Sequence, residues 1–212
     1  PSVLVDSGGR IIAWYLPNAI THWIQAEMEQ ATVNMGHLLK KSMTNGQQTK
    51  WRTFSKYFHS SNGSPLTPGC INIAPCWFQQ GHEVRPTGLY QGILVSAALK
   101  GDGGPAVILS MQRSALLTSA ALRVMHPDLY WASVTTQIKL GQWAKENDLI
   151  DIYTCLQLWA SVFNCAAVIC NRQCPPHRDP SSTPDGFDLM TSIGNYSEGI
   201  MTLSNLGIRL QY

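Results

Sequence analysis

The segment best suited to chemistry is Asn171-Arg-Gln-Cys-Pro-Pro-His-Arg-Asp-Pro180, which joins two strand-like runs. Within it His177 and Asp179 stand two positions apart. Extended backbone sends side chains at that spacing to one face. An imidazole and a carboxylate on one face are two of the three ligands of a facial triad, which holds non-haem Fe(II) and leaves positions open for a cosubstrate and oxygen. The third ligand is normally a second His, and no His follows His177. H-x-D alone is a common spacing, and a loop His in a local hydrogen bond is its ordinary alternative. The same imidazole admits a zinc set with Cys165, Cys170 and Cys174, although C-x4-C-x3-C-x2-H is not a standard finger spacing. The remaining histidines (His22, His37, His59, His82, His126) form no ligand pair at helical or strand spacing.

A second stretch is notable for its charge. No acidic residue occurs between Glu29 and Glu83, while Lys40, Lys41, Lys50, Arg52 and Lys56 are interleaved with Trp51, Phe54, Tyr57 and Phe58. Cations that replace counterions on phosphates, set among rings that can stack on bases, suit nucleic acid. A solvated loop whose aromatics dip into the core is the plainer reading. No G-x-S-x-G, P-loop or G-x-G-x-x-G is present, and Gly101-Asp-Gly-Gly-Pro105 is a turn too short to cradle phosphate. Asp185 and Asp188 read as a solvated polar turn.

These residues must be positioned by a chain of 212 residues and 23.4 kDa with net charge +2, long enough for a sizeable core. Only 13% of residues are charged, against about 25% in an average domain. No apolar run reaches the roughly 18 residues of a membrane span, so no membrane partner is expected. No secretory signal is visible at the start, so the six cysteines are expected as free thiols in a reducing compartment.

Patterning predicts a strand over 10–16, closed by Pro17, and one helix over 19–42 capped by Asn18. A long loop follows over 43–69, irregular chain over 70–90, and a strand over 105–110. Helices are predicted over 112–124, over 128–146 with Asp128 as N-cap, and over 149–162. The segments 163–170, 187–193, 199–203 and 207–212 read as short strands. The expected class is α+β: a helix-rich part over 1–162, then an all-β part over 163–212.

The combination carries a resemblance. The run from Asn171 to Pro180, then Phe187-Asp-Leu-Met-Thr-Ser-Ile-Gly-Asn-Tyr196 and Leu203-Ser-Asn-Leu-Gly-Ile-Arg-Leu-Gln-Tyr212, resembles the TET/JBP family. These are Fe(II)- and 2-oxoglutarate-dependent dioxygenases that oxidise the methyl group of a DNA base. The segments Val5-Asp-Ser-Gly-Gly-Arg-Ile-Ile-Ala-Trp-Tyr-Leu-Pro17, Ile73-Ala-Pro-Cys-Trp-Phe-Gln-Gln-Gly-His82 and Val124-Met-His-Pro-Asp128 resemble its branch in mushroom-forming fungi, which is associated with transposons.

The resemblance implies a double-stranded β-helix (jelly-roll) core, begun in 163–212, with flanking helices. It implies iron ligation by His177 and Asp179 and a 2-oxoglutarate carboxylate bound by Arg172. DNA and O2 are the implied partners, with 5-methylcytosine the default base, and a nuclear location follows from the DNA substrate. Lys50, Arg52 and Lys56 are DNA-contact candidates, although they match no family motif. The family's distal iron-ligand His and its second 2-oxoglutarate Arg have no counterpart in this chain. The expectation is therefore a fragment that does not complete its iron site. A non-catalytic nucleic-acid-binding remnant and a zinc-stabilised module are the alternatives.

Overall fold

A computed structural model of the chain describes residues 1–45, 51–60, 63–77, 92–101, 103–178 and 185–211. Its class is α+β. The elements run β1 (Ser2–Val5), β2 (Ile11–Tyr15), α1 (His22–Asn34), α2 (Gly36–Ser42), β3 (Gly69–Ile73), α3 (Gly104–Ser110), α4 (Gln112–Met125), α5 (Pro127–Glu146), α6 (Ile150–Leu158), β4 (Ala166–Cys170), β5 (Ile200–Leu203) and β6 (Ile208–Gln211). Among the described residues the strands form three two-stranded antiparallel ladders, β1–β2, β3–β4 and β5–β6, and no closed barrel. No helix among them is long and apolar enough to cross a membrane.

The chain divides into two compact units, Pro1–Glu29 with Met190–Tyr212, and Gln30–Leu189. In the first, the β1–β2 turn is closed by Asp6, whose carboxylate accepts from the Gly8 and Arg10 amides and from the Arg10 guanidinium. The backbone hydrogen bond from Arg10 does most to hold this carboxyl below its ordinary value. The Tyr15 hydroxyl donates to the Gln211 carbonyl, tying β2 to β6.

The second unit holds the core. Met35 and Leu39 of the α1–α2 segment meet Ile71 and Ile73 of β3, Leu99, Ile108 of α3, Ala144 of α5, and Ile152 and Cys155 of α6. Ser42 couples α2 to β3: its hydroxyl donates to the Leu39 carbonyl and accepts from the Cys70 amide. Gly69 opens β3 under the same helix end. A Cβ there would lie 2.3 Å from the Leu39 carbonyl oxygen, so only glycine lets the two backbones approach.

Several elements depart from expectation. The predicted 19–42 helix is two helices broken at Met35, whose amide is shared between the Ala31 and Thr32 carbonyls and whose side chain is almost wholly buried. Asn18 is no cap: it takes a left-handed φ of 57° in the turn after Pro17, and α1 begins four residues later. The predicted 105–110 strand is α3, begun by Pro105 in its first turn, where a missing amide costs nothing. His126, not Asp128, caps α5, its imidazole accepting from the Leu129 amide. The predicted 70–90 irregular stretch begins in β3, with 78–90 outside the described residues. The predicted 187–193 strand is irregular, and Phe187 packs on His126 with ring centroids 5.5 Å apart.

Two glycines test this packing with opposite signs. Gly69→Ala should cost about 3 kcal/mol or more, because backbone and not a movable side chain blocks the new methyl. Gly141→Ala, inside α5 with open space at its Cβ position, should add about 0.5–1 kcal/mol through helix propensity. Urea unfolding of both variants measures the difference. A Gly69→Ala chain as stable as wild type would contradict the α2–β3 contact.

Candidate functional site

The β3–β4 ladder pairs Gly69 with Cys170 and Ile73 with Ala166. At Asn171 the backbone takes a left-handed φ of 52°, which Asn tolerates better than most residues. Strand β4 ends there, yet its pairing continues against another segment. The His59 amide donates to the Asn171 carbonyl at 2.9 Å, and the Gln173 amide to the Tyr57 carbonyl at 2.8 Å. Phe58 and Arg172 are thereby antiparallel bridge partners. The basic–aromatic stretch, a single-turn 3-10 helix over Ser55–Tyr57 included, is thus stitched to the segment that leads to His177.

Trp51 sits at the centre of this junction. The Arg52 guanidinium lies over its ring at 4.6 Å and the Arg172 guanidinium at 4.8 Å. The His177 ring is 4.5 Å from it, tilted by 48°. Cations are drawn to an indole face by the ring quadrupole. Arg172 is also held by hydrogen bonds: Nη1 donates to the Arg52 carbonyl at 3.1 Å, and Nη2 to Cys174 Sγ at 3.5 Å. Its Nε is buried with no partner among the described residues. Burial pushes the Cys70 thiol up, and the Arg172 charge and hydrogen bond oppose that shift.

His177 is exposed, in irregular backbone rather than in a strand. Its Nδ1 lies 2.8 Å from the Pro175 carbonyl. A carbonyl only accepts, so Nδ1 carries the proton, and in the neutral imidazole the lone pair is then on Nε2. Metal-bound histidines are commonly oriented by a backbone carbonyl of this kind on the other ring nitrogen.

His177 therefore fits a ligand's role by tautomer. One donor is not a centre, however. Asp179 lies outside the described residues, and among those described no group of three His, Cys, Asp or Glu side chains could hold a metal ion. The zinc set of Cys165, Cys170, Cys174 and His177, all four of which are described, is therefore not gathered in the structure. Cys170 is buried in the core while Cys174 is exposed, so the four do not converge. Burial also pushes the Cys76 thiol up, to about 11.

Of the DNA-contact candidates, Arg52 and Lys56 are exposed on the stitched segment, and Lys50 lies outside the described residues. The organising role of Trp51 had only a weak signal in the sequence, an indole flanked by cations. The second grip on its ring comes from Arg172, 120 residues further along the chain than its carbonyl partner Arg52.

Compared with family models and with curated proteins, the sequence matches none.

Arg172→Lys removes the fork that reaches both the Arg52 carbonyl and Cys174. Amide exchange at His59 and Gln173 should then accelerate by about tenfold, from the loss of hydrogen bonds worth about 1–1.5 kcal/mol. Hydrogen-exchange mass spectrometry of peptides over 51–60 and 171–178 reads this. Unchanged protection there would mean that Arg172 does not anchor the segment.

Proposed function

We propose that the chain is part of a DNA base dioxygenase of the TET/JBP kind, with His177 and Asp179 as iron ligands and the β-strands contributing to a double-stranded β-helix core. The observation that supports this reading best is the His177 imidazole, proton on Nδ1 and lone pair on Nε2, set against the same indole as two guanidiniums. Fe(II) with 2-oxoglutarate and O2 supplies, when bound, the oxidation of a base methyl group, with succinate and carbon dioxide as coproducts.

The chain's own residues have separable tasks in this reading. The Pro175 carbonyl fixes the tautomer and orientation of His177. Arg172 anchors the preceding turn, and in this reading its guanidinium fork also suits a 2-oxoglutarate carboxylate. Arg52 and Lys56 face the DNA. The target base is flipped out of the duplex, because its methyl carbon cannot otherwise reach the metal. A nuclear location follows from that substrate.

A second reading is a nucleic-acid-binding module of the same ancestry without turnover. The commitment of Arg172 to the Arg52 carbonyl and to Cys174 favours it, since a guanidinium used as an anchor serves the basic segment whether or not a cosubstrate binds.

Turnover separates the two. The full-length gene product, given 5-methylcytosine DNA, Fe(II) and 2-oxoglutarate, should form succinate and oxidised base. His177→Ala should lower both by at least about a hundredfold with an unchanged melting temperature, because the imidazole is exposed. Wild-type turnover by that variant would refute the metal assignment. Salt-dependent DNA binding with no succinate from the wild type would establish the second reading.

A further inference from the structure

We infer that Trp51 is the template of a phosphodiester-binding site, holding Arg52 and Arg172 together to grip a nucleic-acid backbone without itself stacking on a base. The inference rests on the nucleic-acid reading common to both proposals above, and it gives Arg172 to phosphate in place of a 2-oxoglutarate carboxylate.

Two guanidiniums within 5 Å of one ring centroid are like charges held together by a neutral surface. The hydrogen-bond partners of Arg172 among the described residues, the Arg52 carbonyl and the Cys70 and Cys174 thiols, carry no formal charge as carbonyl and thiols, and it forms no ion pair there. The sequence offers no carboxylate over 30–82, the whole stretch that surrounds Trp51 along the chain. Lys56 adds a further exposed cation four residues after Arg52. Such a pair favours an anion, and planar guanidinium forks match phosphate oxygens.

Trp51 would be the natural base-stacking platform of a basic–aromatic segment. Here its ring is already engaged by two guanidiniums and the His177 imidazole, so a stacking base would have to displace one of them. The indole instead sets the spacing of the charges. Contacts to phosphate position a protein on nucleic acid and carry no sequence information. The site should therefore be indifferent to sequence.

Binding of the intact chain to fluorescently labelled duplex and single-stranded oligonucleotides of two unrelated sequences, measured over a salt series, tests this. The slope of log K against log salt counts phosphates neutralised, about 0.9 per contact on duplex DNA. Arg52→Gln should reduce the slope by about one and weaken both sequences equally. Trp51→Ala removes no charge, yet it should also reduce the slope by about one, because the guanidiniums lose their template. The double variant should show a clear coupling between the two sites.

Weaker binding by Trp51→Ala at an unchanged slope would mean that the ring stacks on bases, and would overturn the inference. An unchanged slope in Arg52→Gln would overturn it as well. That variant decides the matter if Trp51→Ala fails to fold, since Arg52 is exposed. Displacement of DNA by millimolar 2-oxoglutarate would reassign the pair to a dicarboxylate. No binding by the wild type even at low salt would refute the nucleic-acid reading itself and the inference with it, a result distinct from binding whose slope the variants leave alone.

Discussion

Strand β4 ends at Cys170, but its hydrogen bonding does not. The left-handed turn at Asn171 lets the next residues take up a new antiparallel partner, and Phe58 comes to lie opposite Arg172. Two backbone hydrogen bonds, His59 to Asn171 and Gln173 to Tyr57, fix the basic–aromatic segment beside the H-x-D segment. The placement of Trp51, Arg52 and His177 depends on that short continuation. It in turn depends on the β3–β4 ladder, at whose start Gly69 lets the end of α2 approach closely.

The site shows how one cation serves two ends. Arg172 donates to the Arg52 carbonyl and to Cys174 Sγ, while its Nε is buried without a described partner. A buried unsatisfied donor costs about 1–3 kcal/mol. The stacking of its guanidinium on Trp51 offsets part of that cost. An arginine held this firmly is preorganised: an incoming anion meets a fork already in place and loses less side-chain entropy on binding.

Much of the local structure was legible along the chain. The helical spacing over 112–124 and 128–146, parted at His126-Pro127, corresponds to α4 and α5 within a residue or two at either end. The strands at 11–15, 166–170, 200–203 and 208–211 lie inside runs whose alternation or β-branching marks them. One misreading has its cause in packing. Val107-Ile-Leu109 looks like a strand by composition, yet Gly104 sits against the Leu99 carbonyl and Ile108 enters the core, so packing makes that segment α3. A short apolar run has no periodicity of its own to resist such an override.

For the site, residue types and spacing were enough to single out His177 and the basic–aromatic stretch, because imidazole chemistry and charge are properties of side chains wherever they stand. The chain alone could not bring the two together. Trp51 and Arg172 are far apart in sequence, and no pattern in either segment encodes their meeting. Only the β3–β4 ladder and its extension to Phe58 close that distance, since antiparallel pairing joins segments by register and not by proximity along the chain. The tertiary structure therefore decided that Trp51 is a hub for cations, and that Arg172 is an anchor as well as a candidate ligand-binding group.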